Sequence, residues 1–302
     1  MAIGLPDQAA VEADWAARVR GNREQVDRLR EVTDPTDFYA PITDLFRDDP
    51  TRTDDPVLNR LLALADPADA WLDIGAGAGR YALPLARKVR EVVAIDPSPG
   101  MLSTLATEMD HWRIANVRSV LGRWPESMAE SMAESTPSDV PGGDTARERP
   151  PEADVALMAH VGYDIDAIGP FVDAMERAAG RRCVAVLMER SPASVGDAFW
   201  PPVHGEARVA LPALPEFLAL LLARGTLFEV TLTLRAPRRW ASRADLAQFL
   251  RRGMWLAPDG AKARRLDALL EERPLGADGS IVVDRGLRIG IVSWEPRRVS
   301  TT

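Results

Sequence analysis

Between positions 66 and 190 the chain alternates short apolar runs with stretches in which apolar residues recur every three or four positions. The runs 70–74, 91–95, 117–121, 154–159 and 183–188 read as buried strands, and 80–89, 100–109 and 166–179 as the helices among them. Strands separated by single helices require crossover connections, which put helices on both faces of a parallel sheet. The predicted fold class is therefore α/β, a doubly wound sheet. Before it, Val11, Trp15, Val19, Val26 and Leu29 mark an amphipathic helix over 8–30, which Gly21 could interrupt. An Asp- and Pro-rich stretch, 33–56, leads to a short helical run at 57–65. Residues 1–65 thus read as an N-terminal helical extension and 66–302 as the main domain.

Downstream, 214–223, 243–252 and 261–271 have helical periodicity and 227–234 alternates as a strand. The runs 281–284 and 287–294, separated by Arg285-Gly286, predict a hairpin that gives a mostly parallel sheet an antiparallel edge strand. One segment breaks the rhythm. Residues 125–152 carry five prolines, a Gly-Gly pair and the repeat SMAESMAE, the pattern of a mobile surface insertion without chemistry of its own. The Pro-rich region around 190–225, with FWPPVHGE, is the expected substrate-covering segment.

Composition narrows the class. The chain has 302 residues, 46% of them hydrophobic and 27% charged, values of a folded globular protein. No apolar run reaches the roughly 20 residues that span a bilayer, and the first thirty residues lack a basic start followed by an apolar block. The single Cys183 excludes an internal disulfide or a thiolate metal cluster, which points to a reducing compartment, the cytoplasm. The three histidines lack H-x-x-x-H or H-x-H spacing, so no dedicated metal site is expected. A net charge of −8 disfavours long-range attraction to a polyanion. Against that background, nine basic residues and only two acidic ones fall between Arg235 and Arg265, the one stretch suited to nucleic acid.

The stretch WLDIGAGAGR, 71–80, runs an apolar strand into three alternate glycines and then a helix. Glycine lets backbone approach a ligand and adopt positive φ. A helix starting there would aim amide donors at an anion. A nicotinamide site would need G-x-G-x-x-G, but the third position of that pattern is Arg80, and the third glycine is Gly79. The next strand ends in Asp96, within VVAIDPSPGML, where a doubly wound fold places a carboxylate for ribose hydroxyls.

With Asp73 ahead of the loop, D-x-G-x-G-x-G followed by a strand-terminal Asp96 resembles the first motifs of class I S-adenosylmethionine-dependent methyltransferases. The resemblance covers roughly 66–190 by motif and extends to 294 by element order. It implies a Rossmann-like sheet and S-adenosyl-L-methionine as cofactor. Asp73, Gly75, Gly77 and Gly79 would line its methionine end, Asp96 its ribose, and Pro97 and Met101 its adenine. The family places a polar residue after the third strand. Here LGRW offers Arg123 and Trp124, with Ala159 at the end of the fourth strand as a further lining position.

Methyl transfer is an in-line displacement, so holding donor and acceptor in attack geometry is the main task. A hydroxyl acceptor also needs a base, and His160, in DVALMAHVGYD at the carboxyl edge of the sheet, is the candidate. Tyr39, Tyr163, Trp200 and His204 are the expected acceptor contacts. The Asn/Asp-Pro-Pro-Tyr signature of base amino-methylation is missing at 158–161, and Cys183 lacks the Pro-Cys context of cytosine C5 enzymes. The expected acceptor is a small organic molecule. The alternatives are an RNA or protein methyltransferase using 235–265, a nicotinamide-dependent oxidoreductase, and a cofactor-binding protein without catalysis.

Overall fold

The structure is a computed structural model and describes residues 4–33, 35–126 and 153–297. The expected insertion lies almost wholly outside the described residues. Seven strands form one sheet in the order β3-β2-β1-β4-β5-β7-β6. They are β1 (Ala70–Ile74), β2 (Glu91–Asp96), β3 (Val117–Leu121), β4 (Ala153–Ala159), β5 (Ala179–Met188), β6 (Phe228–Arg235) and β7 (Leu287–Trp294). The first five are parallel, and β7 runs against both β5 and β6.

The predicted hairpin at 281–294 is not what forms. Leu287–Trp294 inserts between β5 and β6, and Ile281 instead makes an isolated antiparallel bridge with Trp240. Alternating Ile289, Ile291 and Val292, Trp294 bury both faces of this strand, which only an interior position allows.

Alternate strand residues feed two cores. Leu72, Ile74, Ala156, Met158, Ala185 and Leu187 face one side. They pack with α1 (Gln8–Leu29), α5 (Ile168–Ala178) and α7 (Leu214–Ala223). Trp71, Val92, Val155, Leu157 and Val186 face the other, with α2 (Pro56–Leu64), α3 (Ala82–Ala86) and Leu105 of α4 (Pro99–Trp112). A third cluster unites α6 (Trp200–His204), α8 (Arg243–Gly253) and α9 (Ala261–Glu271) around Leu246, Leu250, Leu266 and Trp240.

Helix α1 runs unbroken through Gly21. Its buried Asn22 and Gln25 bind the 206–209 segment: Asn22 donates to the Val209 carbonyl at 2.6 Å, and Gln25 donates to the Ala207 carbonyl and accepts from Val209 N–H, each at 2.8 Å. The third helix is shorter than the predicted 80–89. Pro84 has no N–H to return to the Arg80 carbonyl, and Arg52 Nη2 donates to that oxygen at 3.0 Å instead. A helix of five residues has little dipole to offer a ligand, which corrects the expected helix-terminus contribution at this turn.

Candidate active site

The chain runs outward from β1 through β2 to β3 and then crosses back to lay β4 on the other side of β1, so the sheet reverses its order of growth between β1 and β4. Doubly wound folds bind ligands outside the carboxyl ends of the strands at such a switch point. The glycine turn sits there. Gly75 N–H and Ala76 N–H donate to the Ile95 carbonyl at 2.8 and 3.1 Å, bending the turn over the end of β2. At Gly75, with φ +73°, an added Cβ would meet Val161 Cγ2 at 2.4 Å, so this glycine is required by the loop after β4. At Gly77, with φ +57°, the same atom would meet only Met101 Sδ at 3.9 Å, which leaves the backbone open to a ligand. Gly79 packs on Leu83 and Leu105.

Asp96 closes the turn. Its Oδ2 accepts from Gly77 N–H at 2.8 Å and its Oδ1 from Ser98 N–H at 2.9 Å. Burial raises this carboxyl above its ordinary range despite those bonds. Asp73, 2% exposed, is pushed up to about 7, by burial first and by the charge of Asp96 second. No ion pair within 4 Å reaches either group among the described residues. An uncompensated buried carboxylate is costly, and a cationic ligand group is the partner this pair lacks. The residues therefore fit S-adenosylmethionine, which carries an ammonium, a sulfonium and a ribose diol. Pro97 and Met101 lie at the start of α4 beside this acid, and Met101 is buried.

The N-terminal extension is tied to the same place by Asp37, which the sequence reading missed. Its carboxylate accepts from Ser98 Oγ at 2.8 Å and Gly100 N–H at 3.0 Å, and from Tyr39 and Ala40 N–H within its own turn. Although burial opposes it, these bonds hold the Asp37 carboxyl below the usual range. The local Asx turn was readable from D-F-Y-A; the bond to Ser98, 61 positions away, was not. Tyr39 follows, its ring 43% exposed, and its hydroxyl is pushed up to about 12 by loss of water, then by Asp164 and Asp96. That brings Tyr39, Asp96 and Asp164 to one side of the turn.

The other expected residues divide. His160, at φ 59°, anchors its N–H on the Val186 carbonyl at 2.8 Å and sets its ring 6.4 Å from that of Tyr81. Its Nδ1 is buried without a partner. Burial, then Arg80 and Arg235, lower its pKa to about 3. Tyr163 is buried, with its hydroxyl accepting from Met188 N–H at 2.8 Å. Trp200 is wholly buried in the third core and stacks with His204 at 4.2 Å, so its ring is a packing element rather than the expected acceptor contact. Neither ring nitrogen of His204 has a partner, and burial leads in lowering its pKa to about 4. Trp124 packs at the edge of the first core, Arg123 is exposed, and Ala159 is half-buried at the end of β4.

The basic stretch 235–265 is largely consumed by the fold. Arg243 donates to the Leu270 carbonyl, Arg251 binds Asp267, Arg252 lies 4.4 Å over Phe38, Lys262 donates to the Leu29 carbonyl and Arg265 to that of Val203.

Residues 72–134 match the family model described as a methyltransferase domain. No curated protein matches the chain. The YcgJ protein of Bacillus subtilis is 18% identical over 80% of this chain and 98% of its own, with a TM-score of 0.51. A putative methyltransferase of Bacillus halodurans is 15% identical over 80% and 99%, also at 0.51. An S-adenosyl-L-homocysteine complex of a methyltransferase from Thiobacillus denitrificans is 16% identical over 87% and 99%, at 0.46. The family match lies on the glycine turn and Asp96, so residues 72–134 carry a methyltransferase-domain signature, and the chain shares the fold of these structures.

Proposed function

We propose that the chain methylates a small organic molecule, with the acceptor bound at the carboxyl edge of β4 and β5. The supporting observation is the arrangement at the switch point: an open turn at Gly77 clamped by Asp96, beside a buried Asp73 that lacks a cation. Asp73, Gly75, Gly77 and Gly79 would hold the amino-acid end of S-adenosylmethionine, Asp96 its ribose, and Pro97, Met101, Arg123, Trp124 and Ala159 the remainder. When bound, the sulfonium supplies an electrophilic methyl carbon: the acceptor's lone pair bonds to it as the S–C bond breaks and leaves its electron pair on sulfur.

The chain's own residues have positioning tasks. His160, held at the carboxyl end of β4 by its N–H bond to Val186, borders the place proposed for the acceptor molecule. Tyr39, tethered through Asp37, covers the turn and excludes water. His204 borders the segment after β5.

Thermal unfolding with S-adenosylmethionine, S-adenosylhomocysteine or NAD tests the site. A ligand at about 100 times its dissociation constant stabilises by roughly 2.7 kcal/mol. The adenosyl-sulfur compounds should raise the midpoint and NAD should not. A shift with NAD alone would overturn the assignment. Transfer of labelled methyl to small acceptors, and not to RNA or protein, then tests the acceptor class.

A further inference from the structure

Two guanidinium groups at the carboxyl edge, those of Arg235 and Arg238, form no ion pair among the described residues, although Asp284 accepts from the Arg238 backbone N–H at 3.2 Å. Arg235, the last residue of β6, pairs with Leu287 across β7 and extends Nη1 to Met188 Sδ at 3.7 Å, at the end of β5. Met188 is also where the Tyr163 hydroxyl is fixed, in the loop that follows His160. Arg238, three residues on, lies 4.2 Å over the ring of Trp240 and 5.6 Å from that of Phe249. Neither side chain forms an ion pair within 4 Å among the described residues, whereas nearly every other basic residue of the 235–265 stretch is engaged. Arg80, by contrast, is already ion-paired with Asp48 at 3.3 Å and Asp55 at 3.5 Å.

These cations feel one another. Desolvation and then Arg235 lower the Arg238 pKa, with Arg80 adding to the effect and only Asp284 opposing it. The chain carries a net charge of −8, so Arg235 and Arg238 without an ion pair do not reflect an excess of base. Repulsion among them is relieved when an oxyanion binds, and the planar guanidinium fork fits a carboxylate best.

We propose that the methyl acceptor is a small carboxylic acid, its carboxylate held by Arg235 and Arg238 beside His160. This rests on the methyl-transfer reading above. The group bound is an oxyanion, and it has three possible sources: an acceptor carboxylate, an acceptor phosphate, and the carboxylate of the cofactor's own methionine moiety. Rings that stack on Arg238 hold its guanidinium in place without neutralising its charge.

The test uses the full chain saturated with S-adenosylhomocysteine and follows the unfolding midpoint on adding acetate, benzoate, phenylacetate, benzamide or inorganic phosphate at constant ionic strength. At least one carboxylate should raise the midpoint by several degrees and benzamide should not. The Arg235→Ala/Arg238→Ala variant, altered at partly exposed positions, should keep the wild-type response to S-adenosylhomocysteine and lose at least tenfold in apparent carboxylate affinity. Arg235→Lys should keep part of it. Equal responses to benzoate and benzamide, no response to any carboxylate, an unchanged double variant, or a response to phosphate alone would each overturn the proposal. Loss of the S-adenosylhomocysteine response in the variant would assign the arginines to the cofactor, again overturning it. If the wild type does not respond to S-adenosylhomocysteine, the methyl-transfer reading fails first.

Discussion

Asp73 is the residue on which the chemistry and the stability of this site meet. Its carboxyl moves from an ordinary 3.8 to about 7 on folding, because burial and Asp96 both disfavour its charge. The folded state then binds a proton more tightly than the unfolded chain, so stability falls as pH rises from about 4 to about 7, by on the order of 4 kcal/mol at most. Asp73→Asn should therefore stabilise the ligand-free protein at pH 8 and flatten its stability between pH 4 and 7; a steeper pH dependence would refute this. A cationic ligand prefers the ionised carboxylate, so S-adenosylmethionine affinity should rise from pH 6 to pH 8 in the wild type and lose that rise in Asp73→Asn.

The glycines separate by what each faces. Gly75→Ala meets both positive φ and Val161, and should cost about 3 kcal/mol of stability, read by denaturant unfolding. Gly77→Ala has open space and should cost only about 1–2 kcal/mol for its φ, while weakening cofactor binding strongly. Stability losses in the reverse order would contradict the geometry.

Among the elements, what local pattern encodes was readable. The first five strands, α1 and the α7–α9 positions follow from apolar periodicity, and the glycine turn with Asp96 follows from the motif. Contacts between distant segments were not readable. The apolar residues on both faces of 287–294 favour an interior strand, but nothing local in them names β5 and β6 as its neighbours rather than 281–284. The shortening of α3 was legible in Pro84, but its stabilisation by Arg52 was not. The tether from Asp37 to α4 is of the same kind. Removing it with Asp37→Ala should cost about 1–2 kcal/mol, as loss of a helix cap does, and should speed hydrogen exchange over 37–46. Exchange unchanged in that segment would show that the tether does not hold it.

At the scale of the molecule, the N-terminal extension is built into the fold. Trp15 and Val19 of α1 are each 1% exposed in the first core, where Trp15 meets the ring of Phe217 and donates to the Ile165 carbonyl at 2.8 Å. Trp15→Ala should therefore cost about 3–5 kcal/mol, as for other buried aromatics, measured by denaturant unfolding. Through Ile165 and the 206–209 segment the same helix touches both loops that border the carboxyl edge, so its loss should disturb the site as well as the core. The central claim is that the β1–β4 switch point binds the cofactor through Asp96. The direct measurement is calorimetric titration of S-adenosylhomocysteine into the wild type and into Asp96→Ala. Binding should be one-to-one and weaken at least tenfold in the variant, the loss of about 1.4 kcal/mol or more that removing a charged hydrogen-bonding group entails. Equal binding by the two proteins, or none by the wild type, would contradict it.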